Sequence, residues 1–301
     1  MRLVIAGASG FIGTPLCSRL LQDGHLLTLL THSAPRNATT NKKKWLHWTP
    51  GTPGDWESAL DDADGVINLA GEPIAAKRWT HVQKKKIHAS RIAATNSLVD
   101  AIEKAKQRPA FLLNASAVGY YGPRGDETIT EDTASGNDFL SFVCREWEEA
   151  AQRAEPLGVR VIRFRTGIVL GRGGGALAKM VLPFKLFAGG PLGSGKQWMP
   201  WIHIDDEIGL MLYLMENEAT GPVNATAPNP VTMEEFCRTL GNVIGRPSWL
   251  GAPALALRLG LGEMAEMLLT GQRAIPAVAH ELGYKFRYPI LFEALQACMP
   301  L

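Results

Sequence analysis

The stretch "LVIAGASGFIG", Leu3 to Gly13, begins two residues into the chain, and its reading decides the fold. An apolar run of strand length ends on Gly7, a second apolar segment starts near Phe11, and Gly7, Gly10 and Gly13 fall in the turn between them. A strand that enters a helix through such a turn leaves the first helical N–H groups and the positive end of the helix dipole facing outward, where phosphate binds well. Gly7 would allow the tight turn, Gly10 the close approach of a pyrophosphate, and Gly13 close contact between helix and strand. The spacing is GxxGxxG rather than GxGxxG, and a tight turn alone also selects glycine. Its place at the first strand-to-helix turn of an alternating pattern is what points to a dinucleotide.

That pattern continues along the chain. "LLTLL" (26–30), "GVINLAG" (65–71), "FLLNAS" (111–116) and "VRVIRF" (159–164) read as buried strands. Residues 12–23, 82–105 and 138–155 carry apolar positions at helical spacing. Strand and helix in alternation predict an α/β fold, a doubly wound parallel sheet of the Rossmann type. From about Gly171 the texture turns to Gly- and Pro-rich loops with scattered helices. This is consistent with a smaller lobe. The lysine runs Lys42–Lys44 and Lys84–Lys86 read as solvated faces.

Composition excludes several function classes. The 301 residues are 46% hydrophobic and 20% charged with a formal charge of +2, which offers no argument for nucleic acid or a membrane surface. Cys17, Cys144, Cys237 and Cys298 lie far apart without a CxxC pair, and the seven histidines show no HExxH, so neither a disulfide framework nor a metal site is expected. There is no signal-peptide pattern and no apolar run long enough to span a bilayer, so a cytoplasmic chain is expected.

The choice of dinucleotide depends on the end of the second strand, where an NAD site usually carries an acid for the ribose 2′-OH. Here "LLTLLTHSAPR" places Thr31, His32 and Ser33, with Arg36 close behind. No carboxylate repels a 2′-phosphate and one certain cation is at hand, so NADP (NADPH) is the expected cofactor.

"GASGFIG", "DGVINLAG" (64–71), "NASAVGYYG" (114–122), "RTGIVLG" (165–171) and "WIHIDD" (201–206) occur in the order seen in extended short-chain dehydrogenases/reductases. Together they resemble the NAD(P)-dependent epimerase/dehydratase superfamily, which implies a doubly wound dinucleotide domain over 1–225, with cleft segments from about 171, and a small C-terminal substrate lobe over 226–301. "GGPLGSGKQWMPWIHIDD" and the tail "LLTGQRAIPAVAHELGYKFRYP", within a subfamily-specific segment over 248–296, resemble more narrowly a group called epimerase-family proteins. That group is sometimes labelled as cell-division inhibitors and includes an atypical human short-chain dehydrogenase. The resemblance implies that Gly7, Ser9, Gly10, Phe11, Ile12 and Gly13 form the pyrophosphate loop. It implies that Leu69, Ala70 and Gly71 back the adenosine side, and that the backbone from Arg165 through Gly167 and Ile168 holds the nicotinamide amide. It also makes Ser116 the serine that hydrogen-bonds a substrate oxygen.

Two departures bear on chemistry. Family members with redox activity carry a Tyr and, four residues on, a Lys that lowers the phenol pKa. With Glu148 as anchor these positions fall on Leu140 and Cys144, and a shift by one gives Phe139 and Val143. Tyr120 and Tyr121 are the nearest phenols, and either is a candidate acid/base. The second departure is Met199, where nucleotide-sugar epimerases carry an arginine for the diphosphate. Trp198, Met199 and Trp201 suggest a largely apolar, aromatic substrate wall, with Gln197 a further substrate-binding candidate and Arg273 a substitute cation. Ser116, His203 and Asp205 do not suggest a hydrolase triad, since no G-x-S-x-G elbow is present and Asp205 or Asp206 would cap a helix. Two functions stay open at this point. One is an NADP-dependent oxidoreductase or epimerase acting on an unknown small carbonyl or hydroxyl compound. The other is a cofactor-binding regulator that works through a protein partner or a second copy of itself.

Overall fold

A computed structural model of the chain describes residues 1–32 and 40–299. Seven strands form one parallel sheet: β1 (Arg2–Ala6), β2 (Leu26–Thr31), β3 (Lys43–His47), β4 (Gly65–Asn68), β5 (Phe111–Ala117), β6 (Arg160–Thr166) and β7 (Gly221–Ala225). Their order is β3-β2-β1-β4-β5-β6-β7, every neighbouring pair running parallel. The order reverses beside β1, so the crevice at the carboxyl ends of β1 and β4 is the place where such a sheet holds a ligand.

Alternation along β1 shows how both faces are covered. Leu3 and Ile5 pack with Leu16 and Leu20 of helix α1 (Gly13–Gln22). Val4 and Ala6 face the other way, against Leu98 and Ile102 of α2 (His81–Lys104) and Ala151 of α3 (Phe139–Gln152). Thr80 Oγ1 caps α2 by accepting from Gln83 N, and Asp138 Oδ1 caps α3 by accepting from Ser141 N at 2.8 Å. Each cap satisfies a donor that the helix itself leaves open.

The five strands expected from sequence are all present, and the sheet has two more. β3 contains Lys43 and Lys44, so that lysine run is not simply a solvated face. Trp45 pairs with Leu29 and packs half-buried against the core, while Lys44 stays exposed on the outermost strand. An edge lysine discourages pairing with another chain. The lysines at 84–86 lie on α2, where Lys85 and Lys86 are exposed and Lys84 pairs with Glu263.

A third cluster spans the domain boundary expected at residue 226. It joins Leu177 and Phe184 of α4 (Gly175–Lys185), Met199 and Trp201, and Phe236 and Leu240 of α6 (Met233–Ile244). The tail is fastened back onto α5 (Ile204–Glu216), where Asp206 accepts from the backbone N–H groups of Arg287 and Tyr288 at 2.7 and 2.9 Å. The cap of α5 is therefore neither aspartate at its start: His203 Nδ1 accepts from Asp205 N at 3.1 Å. Among the described residues, no helix is long and apolar enough to cross a membrane.

Candidate cofactor and active site

The glycine turn has the geometry that its spacing predicts. Gly7 sits at φ +83°, and a Cβ there would lie 2.6 Å from the backbone of Leu69. A Cβ on Gly13 would lie 2.3 Å from Gly7 O, so only glycine lets α1 approach β1 this closely. A Cβ on Gly10 would meet only Gly7 O, at 3.3 Å, and otherwise faces open space. Ile12 caps α1 without a side-chain bond, and the first turn holds no acid. Among the described residues the N–H groups of Phe11, Ile12 and Gly13 have no acceptor. Uncapped donors beside an open glycine fit a pyrophosphate. A cleft of about 650 Å³ reaches Ser9, Gly10 and Phe11, with His203 and Tyr288 on its far side. That volume lies in the range of ligand pockets.

β4 and β5 follow β1 in the sheet. A buried polar cluster holds the ends of both strands to α2 and α3. Asn68 Nδ2 donates to Asn114 Oδ1 at 2.7 Å and to Thr95 Oγ1 at 3.0 Å, and Trp147 Nε1 donates to the same hydroxyl at 2.9 Å. Asn68 Oδ1 in turn accepts from Ala70 N, which fixes Leu69–Gly71 beside the glycine turn. At the end of β2, Thr31 is half-buried and His32 is exposed and stacked on Trp48, with ring centroids 5.9 Å apart. Ser33 and Arg36 lie outside the described residues.

The expected catalytic residues are drawn into a structural network. Arg165 and Glu148, 2% and 3% exposed, form a two-pronged ion pair with both N–O distances at 2.8 Å. Ser116 Oγ donates to Glu148 Oε1 at 2.7 Å, so its proton is committed and the hydroxyl can only accept from a ligand. Tyr121 is fully buried, accepts from Arg165 Nη1 at 2.8 Å and donates to Asn224 Oδ1 at 2.7 Å. Burial pushes its phenol up to about 12 despite the guanidinium beside it. Tyr121 is thus a packing residue and not an acid/base, a correction to the sequence expectation. Tyr120 differs, being half-exposed, with its ring 3.6 Å from the Arg165 guanidinium and its hydroxyl without a partner among the described residues.

The backbone of the next segment is also occupied. Gly167 N donates to Ala225 O and Ile168 N to Pro200 O, which leaves only carbonyl oxygens to meet an amide. On α3, a Cβ at Gly119 would lie 3.3 Å from Leu140 Cβ and 4.0 Å from Cys144 Sγ, which places both side chains against the loop that follows β5. Burial pushes the Cys144 thiol up to about 12, so it cannot relay a proton near neutral pH.

Of the expected substrate wall, Trp201 is fully buried in the third cluster with Nε1 donating to Asn229 O, and Met199 is 2% exposed. Neither lines the cleft, because apolar alternation in this stretch serves the third core cluster. Gln197 spends its amide on Leu192 O and Leu268 O. Trp198 is half-buried, donates to Asp126 Oδ1 at 2.8 Å, and carries the Arg273 guanidinium 4.7 Å above its ring. Arg273 begins a two-residue strand on Thr128–Ile129, and the next residue, Ala274, packs in the cluster that also holds Tyr120 and Tyr121. The structure therefore pairs Arg273 with Trp198 and sets the adjacent Ala274 beside Tyr120 and Tyr121.

Sequence reasoning passed over Glu207. It is fully buried on α5, accepts from Thr166 Oγ1 at 2.9 Å, and has no partner for Oε2. Burial pushes its carboxyl from 4.5 up to about 8, against the smaller effect of the Thr166 bond. The folded protein therefore keeps a proton that the unfolded chain loses near pH 4.5, and stability falls as pH rises toward 8. The slope is about 1.4 kcal/mol per pH unit for this group. Glu207→Gln is expected to remove that slope, so that urea midpoints of the variant exceed those of the wild type at pH 8 and converge at pH 5.

A family model for the NAD dependent epimerase/dehydratase family matches residues 3–226. The chain belongs to that family. A second model, a domain of unknown function (DUF1731), matches residues 252–298. Among the family's curated members, the chain is 43% identical to the chloroplastic epimerase family protein SDR39U1 homolog of Arabidopsis thaliana, covering 99% of this chain and 87% of that one. It is 40% identical to epimerase family protein YfhF of Bacillus subtilis, with 98% and 97% covered. The crystal structure of human epimerase family protein SDR39U1 (isoform 2) with NADPH superposes with a TM-score of 0.88 at 35% identity, covering 99% of both chains. A UDP-glucuronic acid 4-epimerase from Bacillus cereus, solved with NAD, shares the fold at 18% identity and a TM-score of 0.78.

Proposed function

We propose that this member of the epimerase/dehydratase family binds NADP(H) across β1 and β4 and turns over a small carbonyl or hydroxyl compound without a Tyr–Lys relay. The observation that carries the reading is the uncapped start of α1, where three free N–H groups meet a Gly10 that leaves room for phosphate. The human relative solved with NADPH supports the phosphorylated form of the cofactor. So does the carboxylate-free end of β2, with Thr31, His32, Ser33 and Arg36 in sequence. When bound, the nicotinamide would supply a hydride donor or acceptor. The chain would supply the Ser116 oxygen as an acceptor, the Tyr120 hydroxyl as the available phenol, and Arg273 on Trp198 as a fixed cation. Calorimetric titration tests the cofactor choice. NADPH is expected to bind at least about tenfold tighter than NADH, roughly 1.4 kcal/mol, and equal affinities would overturn it.

A second reading, a regulator with little turnover, is favoured by the high proton affinities of Tyr121 and Cys144 and by the exposed apolar side chains on α4 and after it. Leu182, Leu186, Phe187, Trp249, Leu255 and Leu259 are exposed there, a surface suited to a protein partner or a second copy. A panel of carbonyl substrates separates the two. NADPH consumption that Tyr120→Phe abolishes and Tyr121→Phe leaves largely intact is expected of the oxidoreductase. No consumption across the panel, with NADPH still bound, is expected of the regulator.

A further inference from the structure

The end of α4 and the helix that follows α6 leave much apolar surface in water. Leu182 lies on α4, with Leu186 and Phe187 just after it, and all three are exposed. Trp249 and Leu250 are exposed on the way to α7 (Ala254–Leu261), none of whose residues is fully buried. Leu255 and Leu259, about one turn apart on α7, make an exposed ridge. An eight-residue helix is stable only where tertiary packing holds one of its faces. Backbone bonds join these pieces. Leu250 N donates to Gly189 O at 3.0 Å, Ala252 N to Pro191 O at 2.9 Å, and Gly193 N to Ala252 O at 2.8 Å. The seven side chains are between 48% and 73% exposed, so at roughly 200 Å² each they leave about 900 Å² in water. A typical monomer leaves a largest patch of about 300–600 Å², whereas each partner in a standard interface buries about 800 Å².

Phe187 is held in this patch against its own backbone preference. Phe187 N donates to Phe184 O and Ala188 N to Pro183 O, both at 2.9 Å, a helix ending that puts its last turn's successor in the left-handed region. Phe187 sits there at φ +58°, where glycine is usual and a bulky side chain is strained. Glycines stand close by at 189 and 190, yet the strained position carries an exposed phenyl ring. Strain that presents an apolar ring to water fits an interface. The charges around the patch do not call for an oppositely charged partner. Residues 175–191 and 246–261 contain four cations and no Asp or Glu. Arg258 is matched by Glu266 at 2.7 Å, Lys179 bonds Ala75 O at 2.9 Å, and Arg246 lies over the Phe187 ring. Lys185 alone has no partner among the described residues. A nearly neutral apolar face is best met by another, and a two-fold axis can set the α4 end of one copy against the α7 ridge of the next.

We propose that this face, from Leu182 to Phe187 and from Trp249 to Leu259, pairs with the same face of a second copy in a two-fold dimer. The proposal takes up the surface named under the second reading and holds whether or not the chain turns over a substrate. Its test is sedimentation equilibrium of the full chain, as wild type, Phe187→Gly and Leu259→Lys, across a range of concentrations. Wild type is expected to approach twice the chain mass as concentration rises. Each variant should raise the dimer dissociation constant by about tenfold or more, the range of a central interface residue. Thermal melting of dilute, monomeric samples should show Phe187→Gly no less stable than wild type, because glycine suits the left-handed position. Leu259→Lys, on the exposed ridge, carries the comparison if Phe187→Gly fails to fold. A wild type that stays monomeric at every concentration would overturn the proposal, and its co-sedimentation with phosphatidylglycerol vesicles would give the patch to a membrane surface instead. A dimer that both variants leave intact would place the interface elsewhere and overturn it equally. NADPH titration of the same three proteins is expected to be unchanged, and a wild type that fails to bind NADPH would count against the dinucleotide reading alone.

Discussion

Arg165→Met is expected to cost the fold about 3–5 kcal/mol, the range for breaking a buried ion pair from one side. Much of the cost comes from what stays behind. Glu148, 3% exposed, would keep Ser116 Oγ and a 3.7 Å approach from Arg163, but would lose the two 2.8 Å bonds that balance its charge. Tyr121 and the Glu131 carbonyl would each lose a donor as well. The damage spreads because the network links β5, α3 and β6 to β7 through Asn224, which also reaches Ile275 O. With total stabilities of about 5–15 kcal/mol, such a loss is a large fraction of the whole. Urea denaturation should show it as a lower midpoint, and replacing Glu148 by leucine in the same variant should recover part of it. A midpoint within about 0.5 kcal/mol of wild type would show that the pair is not the keystone of this end of the sheet.

That network also explains where sequence reading succeeded and failed. The strands at 26–30 and 111–116 were legible because both faces of a parallel sheet are buried, which leaves continuous apolar runs. β3 was not, because an edge strand buries only part of itself: Lys44 and His47 carry the exposed share while Trp45 and Leu46 supply the contact. The glycine turn was legible because Gly7 and Gly13 answer to backbone contacts of 2.3–2.6 Å that no other residue allows. Tyr121 and Trp201 misled for a common reason. Position along a motif places a residue near a site, but only tertiary packing decides whether its polar atom meets solvent or a buried partner such as Asn224 or Asn229. Glu207 lay in a stretch with no local signal, since its significance comes from its contact with Thr166, 41 residues away in sequence.

Gly10→Val carries the other large effect, on binding rather than on folding. Its Cβ would find only Gly7 O, at 3.3 Å, which the turn can relieve by a few tenths of an ångström. The two methyl groups would then occupy the open space in front of the free N–H groups of Phe11, Ile12 and Gly13. A pyrophosphate that depends on those donors is held off by more than a hydrogen-bond length. The loss should reach about a hundredfold or more in affinity, roughly 2.7 kcal/mol, with a melting temperature close to that of wild type. The most direct measurement is a calorimetric titration of NADPH into wild type and into folded Gly10→Val. Saturable binding by wild type that all but disappears in the variant is the predicted result; undiminished binding in Gly10→Val, or none in wild type, would contradict a dinucleotide site at this turn.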